Sequence, residues 1–176
     1  MPGMHSGPGL RKPFGKFVAI DKATPTEYET TGNFRFDFSA FTVGTNNQGQ
    51  TLAAAVGGRA FTTGYDLAPS REFKATSYPA LSPFNGNSQW KCPSRIKGQD
   101  PFFDVFETEK FDAPLAGVDP LEIKCDMTGG SSGGGWRTGG AVGSNVSYGY
   151  GAIPDRLFGP YLGAEAQALF DELSGP

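Results

Sequence analysis

Gly129-Gly130-Ser131-Ser132-Gly133 has the spacing G-x-S-x-G, and the frame one residue further on matches as well. In a nucleophile elbow that spacing lifts a serine hydroxyl onto a sharp turn, where a base can activate it. The elbow also requires a buried strand before it, a helix after it and a histidine elsewhere in the chain. Here glycines stand on both sides of Trp136, and the single histidine is His5, in an N-terminal arm. A chance match within a glycine-rich tract is therefore the expected reading, and no catalytic residue is assigned.

Other chemistry is equally sparse. One histidine and two separated cysteines do not make a zinc site, and no EF-hand spacing is present, so no metal is expected. Cys92 and Cys125 either bridge, closing a loop worth roughly 3–4 kcal/mol, or remain two buried thiols. Asp100, Asp104, Glu107 and Glu109 offer carboxylates for an acid/base pair, but a solvated acidic helix face explains them more simply. The glycine-rich tract lacks the phosphate-binding G-x-x-x-x-G-K-[ST], and Gly149-Tyr150-Gly151 is followed by Pro154 where a dinucleotide fingerprint needs Gly or Ala. Asn145-Val146-Ser147 is a glycosylation sequon with no secretory signal to support it. No cofactor is required by anything in the sequence.

The elements available to position these residues are short. Gly contributes 26 and Pro 14 of 176 residues, nearly a quarter of the chain against about 12% in average usage. Yet 15 Phe, 6 Tyr and 2 Trp are present, which disordered chains lack. The balance predicts a mostly irregular, loop-rich fold with a few short β-strands and one or two short α-helices, a small α+β protein at most. Residues 1–16 read as an extended Gly/Pro basic arm, 17–126 as a loop-rich body anchored by aromatics, 127–152 as a glycine-rich ordered loop, and 153–176 as a C-terminal segment. Phe34, Phe36, Phe38 and Ala40 alternate with Arg35, Asp37 and Ser39, which predicts a strand with one buried face. Leu121–Cys125 alternates too. Asp100-Pro101 predicts a helix start, with Phe102, Phe103 and Phe106 on one side. Leu162, Ala166, Leu169, Phe170 and Leu173 predict a helix over 161–173.

The net charge of −3 argues against a general nucleic-acid binder. Arg11, Lys12, Lys16 and Lys22 face only Asp21 in the first 24 residues, whereas residues 100–126 hold eight acids against Lys110 and Lys124. The longest weakly apolar run, Leu52–Val56, is too short to span a bilayer, and Met1–Pro8 has no apolar signal region.

The Gly/Pro arm and the glycine-dense run cannot bury enough of themselves to offset an ordering cost of roughly 1–2 kcal/mol per residue. The expectation is therefore a non-enzymatic structural or linker subunit of a large complex, ordered by neighbouring protein subunits. The setting favoured is the periphery of a photosystem-antenna membrane supercomplex in a plastid, with pigments nearby. A virion capsid or decoration protein is the alternative, and a small enzyme with a carboxylate and glycine-loop site the second alternative. Partner contacts are expected from Arg11, Lys12, Phe14 and Phe17 in the arm and from Phe34, Phe36 and Phe38 on the strand. Trp90, Phe102 and Phe106 in the body, Trp136, Tyr148 and Tyr150 in the glycine tract, and Leu169 and Phe170 on the helix complete the set.

Overall fold

Alternation along Glu72–Ser77 (β3) sends Phe73, Ala75 and Ser77 inward and leaves Glu72 and Lys74 in solvent, the period of a half-buried strand. In this computed structural model, which describes residues 12–103 and 117–175, β3 is the third of eight strands. Ala19–Ala23 (β1) and Ala40–Val43 (β2) pair antiparallel as a two-stranded sheet. The other strands are Trp90–Gln99 (β4), Leu121–Lys124 (β5), Gly135–Thr138 (β6), Ala141–Asn145 (β7) and Arg156–Gly159 (β8). With β3 they form one antiparallel sheet in the order β7-β6-β3-β4-β5-β8. Past β7 the chain runs on beside β8: the N–H groups of Ser147 and Tyr148 donate to the Phe158 carbonyl, and the Phe158 N–H donates back to Tyr148. The sheet thus curls until its two ends meet, leaving few unpaired edges.

Inside the curl lies one apolar cluster that includes Phe73, Ile96, Leu121, Ile123, Met127, Trp136, Val146 and Leu157. Cys92 on β4 and Cys125 just past β5 are joined by a disulfide across this wall. Three α-helices are also described: Thr26–Thr31 (α1), Leu52–Val56 (α2, capped by the Thr51 hydroxyl) and Ala164–Leu173 (α3), which packs on β1 and β2.

The fold is therefore mostly β, not the loop-rich arrangement that composition predicts. The glycines misled because they sit at strand ends and turns, where composition cannot distinguish them from linker glycines. The tract expected as a loop, 127–152, contains β6 and β7, and its Trp136 is fully buried in the core. At Phe34–Phe38 the strand expectation fails. Phe34–Phe36 is a 3-10 turn started by the Asn33 side chain, which accepts from the Arg35 N–H. Arg35, expected on the solvent face, is buried against Asp119 and over the Phe103 ring. The three rings Phe34, Phe36 and Phe38 are each half-buried, none of them in the core. The expected strand at Leu121–Cys125 corresponds to β5. The helix expected from Asp100 falls largely outside the described residues, as do Arg11 and Phe106 of the expected contacts.

The C-terminal helix begins at Ala164, because Tyr161 and Leu162 are used in extended form: Leu162 accepts from the Gly64 N–H and the Tyr161 hydroxyl donates to the Tyr65 carbonyl. Of its apolar stripe, Leu169 is 8% exposed but Phe170 is 43% exposed, stacked on Phe61. Leu169→Ala should therefore cost about 2–4 kcal/mol and Phe170→Ala about 1 kcal/mol or less, read as midpoint shifts in denaturant unfolding. Equal losses would mean that the helix is rotated from this position.

Candidate active site

The turn between β5 and β6 is built around Ser131. This residue is 3% exposed; its hydroxyl donates to the Thr128 carbonyl at 2.7 Å, and its own carbonyl accepts from the Ser77 hydroxyl at 2.7 Å and the Gly134 N–H at 3.0 Å. Holding Ser131 inward turns the next side chain, Ser132, out to solvent. The glycines on either side are conditions for this turn. Gly130 has φ +93°, and a Cβ there would stand 2.7 Å from the Ala80 Cβ; a Cβ on Gly134 would stand 2.4 Å from the Ser77 Cβ. The G-x-S-x-G match is therefore a structural feature in its second frame, with Ser132 central and exposed, and chance low complexity does not account for it. The backbone N–H groups of Gly130 and Ser132 have no acceptor among the described residues.

Asp37 comes to the same region from the other end of the chain. It ends the 3-10 turn, and its carboxylate accepts from the Ser147 hydroxyl, while its backbone carbonyl accepts from Asn145 Nδ2 at 3.1 Å. Asn145 and Ser147, read from the sequence as a sequon, are thus two of the residues that hold Asp37. Tyr28 lies beside it: partial burial first, then the Asp37 charge and hydrogen bonding, push the Tyr28 phenol above its ordinary value, as an ionised neighbour does.

Asp37 and Ser132 line one cavity of about 710 Å³, whose other walls are mostly apolar and include Phe38, Phe61, Val142 and Leu169. On its other side Ser132 borders a second cavity of about 410 Å³, walled by Cys125–Thr128, the Val146–Gly151 segment and Ile153–Leu157. Three charged side chains border the second cavity: Asp126, Asp155 and Arg156. Arg156 Nη1 is 2.8 Å from Oε1 of the buried Glu122, whereas Asp126 and Asp155 have no ion pair among the described residues. A serine hydroxyl at the junction of two cavities, with a tethered carboxylate facing one of them, is suited to nucleophilic attack on a carbonyl. A base between the two is the missing part. The described residues contain no histidine, and His5 lies outside them.

Several of the residues expected to contact partner subunits have contacts within the chain. Phe34 packs on Tyr148 at 5.1 Å, Phe102 on Tyr150 at 6.2 Å, and Tyr148 stacks on Phe158 at 5.1 Å, so these rings meet one another. Phe38, Leu169 and Phe170 line the larger cavity. Lys12, Phe14 and Phe17 stand near the two-stranded sheet, where the Phe14 carbonyl accepts from Asn46 Nδ2. Trp90 is 46% exposed at the start of β4 and packs edge-on against Phe84. Asp100, assigned to a solvated acidic face, is 2% exposed instead. Ser132, Asp37 and Ser147 are the residues that sequence reasoning missed. The second frame of G-x-S-x-G was the one available signal.

No protein-family model and no curated protein matches the chain. Solved structures do. The chain is similar to the protease Anisep from Arthrobacter nicotinovorans, with a TM-score of 0.75 and 32% identity over 92% of this chain and 68% of that one. It is similar to the thermostable serine protease AL20 from an extremophilic microorganism, with a TM-score of 0.74 and 32% identity over 93% of this chain and 69% of that one. A Glu endopeptidase shares the fold, with a TM-score of 0.65 at 18% identity over 93% of this chain and 66% of that one. These similarities overturn the expectation of a non-enzymatic linker. The photosystem setting with its pigments falls with it, and the virion alternative has no support.

If the Ser147 hydroxyl is what holds Asp37, Ser147→Ala should lower stability by about 1–3 kcal/mol, since it removes a hydrogen bond to a charged group. Urea titration of the variant measures this. An unchanged midpoint would mean that Asn145 and Tyr28 suffice without it.

Proposed function

The chain belongs to the serine proteases of trypsin-like fold, and on that premise we propose that it cleaves peptide bonds with Ser132 as nucleophile and Asp37 as the carboxylate that orients the base. The observation that carries this reading is the pairing of an exposed serine in a glycine-bounded turn with a tethered aspartate on one cavity. In such a site the Ser132 hydroxyl attacks the scissile carbonyl while its proton passes to an imidazole, which Asp37 keeps in the correct tautomer. The carbonyl oxygen, now anionic, accepts hydrogen bonds from backbone N–H groups; those of Gly130 and Ser132 are unengaged within the described chain. The imidazole returns the proton to the leaving amine, and water then releases the acyl group from Ser132 by the same steps. Serine proteases of this kind need no cofactor. The Cys92–Cys125 disulfide supports work in an oxidising compartment.

A fluorophosphonate probe tests the reading directly. Mass spectrometry should find the full-length protein labelled at Ser132, with Ser132→Ala unlabelled and Asp37→Asn slowed by roughly 10⁴-fold. Protein that is folded yet unlabelled at Ser132 would overturn the assignment. A His5→Ala variant that still labels takes its base from a group other than His5.

The smaller cavity supports a substrate class. A peptide whose carbonyl rests on Ser132 places the preceding side chain at this cavity, where Asp126 and Asp155 are uncompensated and Arg156 is already paired with Glu122. The surplus is negative, so a Lys or Arg side chain should be preferred there over Glu by about 100-fold or more in kcat/KM. A matched set of peptide amides differing only at that residue measures the ratio. Preference for Glu would show that Arg156 leaves Glu122 to meet the substrate.

A further inference from the structure

We propose that Asp100 is a positioning residue for the substrate-binding wall, an inference that rests on the protease reading above. Asp100 follows β4 and is 2% exposed, yet it is a carboxylate. Its Oδ2 accepts from the hydroxyls of both Tyr148 and Tyr150, each at 2.6 Å, and its Oδ1 accepts from the Phe102 N–H at 2.9 Å. Its own N–H donates to the Pro120 carbonyl at 2.8 Å. Placing a carboxylate in the interior is unfavourable, and a well-packed apolar group of similar size often serves stability as well or better. What three converging donors provide is a single geometry. Two aromatic residues separated by one glycine are tied through their far ends to one atom.

That geometry matters because of what the two tyrosines carry. Tyr148 and Tyr150 wall the smaller cavity beside Ser132, and between them Gly149 is exposed. Tyr148 stacks on Phe158 and Tyr150 packs on it edge-on at 5.2 Å, so the rings have a floor, but stacking alone lets a ring slide. The Asp100 carboxylate sets where they stop. Burial first, then the hydrogen bond to Asp100 and its charge, push the Tyr148 phenol far above its ordinary value, so it remains a donor throughout the working range. Ser147, next in the chain, holds Asp37. A peptide bound along this wall meets a surface whose shape depends on a carboxylate it never touches.

The test uses Asp100→Asn in the full-length chain, an isosteric change that places an N–H₂ group against either the tyrosines or the Phe102 N–H. KM for a peptide amide should rise about tenfold with kcat within twofold, and labelling of Ser132 by a small fluorophosphonate should keep its wild-type rate. Calorimetric binding of the matching N-acyl tripeptide product should weaken by the same factor, in wild-type against variant protein. This last measurement needs no turnover. Failure of the protease reading, seen as absent labelling of wild-type protein, is therefore distinguishable from failure of this one. Unchanged product affinity in folded Asp100→Asn would overturn the proposal, as would a loss of labelling rate equal to the loss in kcat/KM. Should Asp100→Asn not fold, Tyr150→Phe keeps the ring and two of the three donors to Asp100. Weakened product binding supports the proposal in that variant, and unchanged binding overturns it.

Discussion

The contact on which the rest of this site depends joins residues 110 positions apart: the Ser147 hydroxyl on the Asp37 carboxylate. Asp37 belongs to the connection between α1 and β2 of the small sheet, whereas Ser147 follows β7 of the curled sheet. A two-stranded sheet is marginal by itself, and β1 is exposed along nearly its whole length. The position of Asp37 is therefore imposed from the larger body. Asn145 grips its backbone, Ser147 its carboxylate, and α3 supports the strands behind it. A carboxylate held at both main chain and side chain has little freedom to turn, which a residue that orients a base requires.

The proposed nucleophile is held by the opposite means. Ser132 is placed by what its neighbours cannot be. A side chain at Gly134 would collide with Ser77, and one at Gly130 would collide with Ala80 from a backbone conformation that L-residues rarely adopt. Ser131 then fills the space inside and leaves Ser132 to face out. Steric exclusion on one side and hydrogen-bond tethering on the other bring the two groups to a common cavity without any direct bond between them.

This division explains what was legible in the sequence. The β5 alternation at Leu121–Lys124 and the apolar stripe of α3 are local patterns, and both correspond to real elements. The turn at Ser132 was present as a spacing, but its meaning lay in Ser77 and Ala80, some fifty residues away, which no local reading can supply. Asp37 was harder still. Its neighbours Phe34, Phe36 and Phe38 mimic a strand, and the pattern dissolves because Asn33 caps a 3-10 turn and Arg35 finds Asp119 and the face of Phe103. Period-2 apolarity alone does not fix a strand: here the Asn33 cap and the burial of Arg35 favour the 3-10 turn instead.

The glycine and aromatic content that suggested an extended linker has the same origin. A curled sheet of short strands needs many tight turns, and glycine serves at most points where the backbone turns left-handed. A site walled by rings needs aromatics that touch one another: Tyr148 contacts Phe34, Phe103, Tyr150 and Phe158 within one cluster. Composition alone cannot separate rings that anchor a partner from rings that shape a cavity, since both are buried in use. What separates them is the polar end. An interface anchor can present its hydroxyl to the partner, whereas Tyr148 and Tyr150 both direct theirs inward to Asp100. The direction of those two hydroxyls ties both rings to this chain, while their faces remain along the cavity wall.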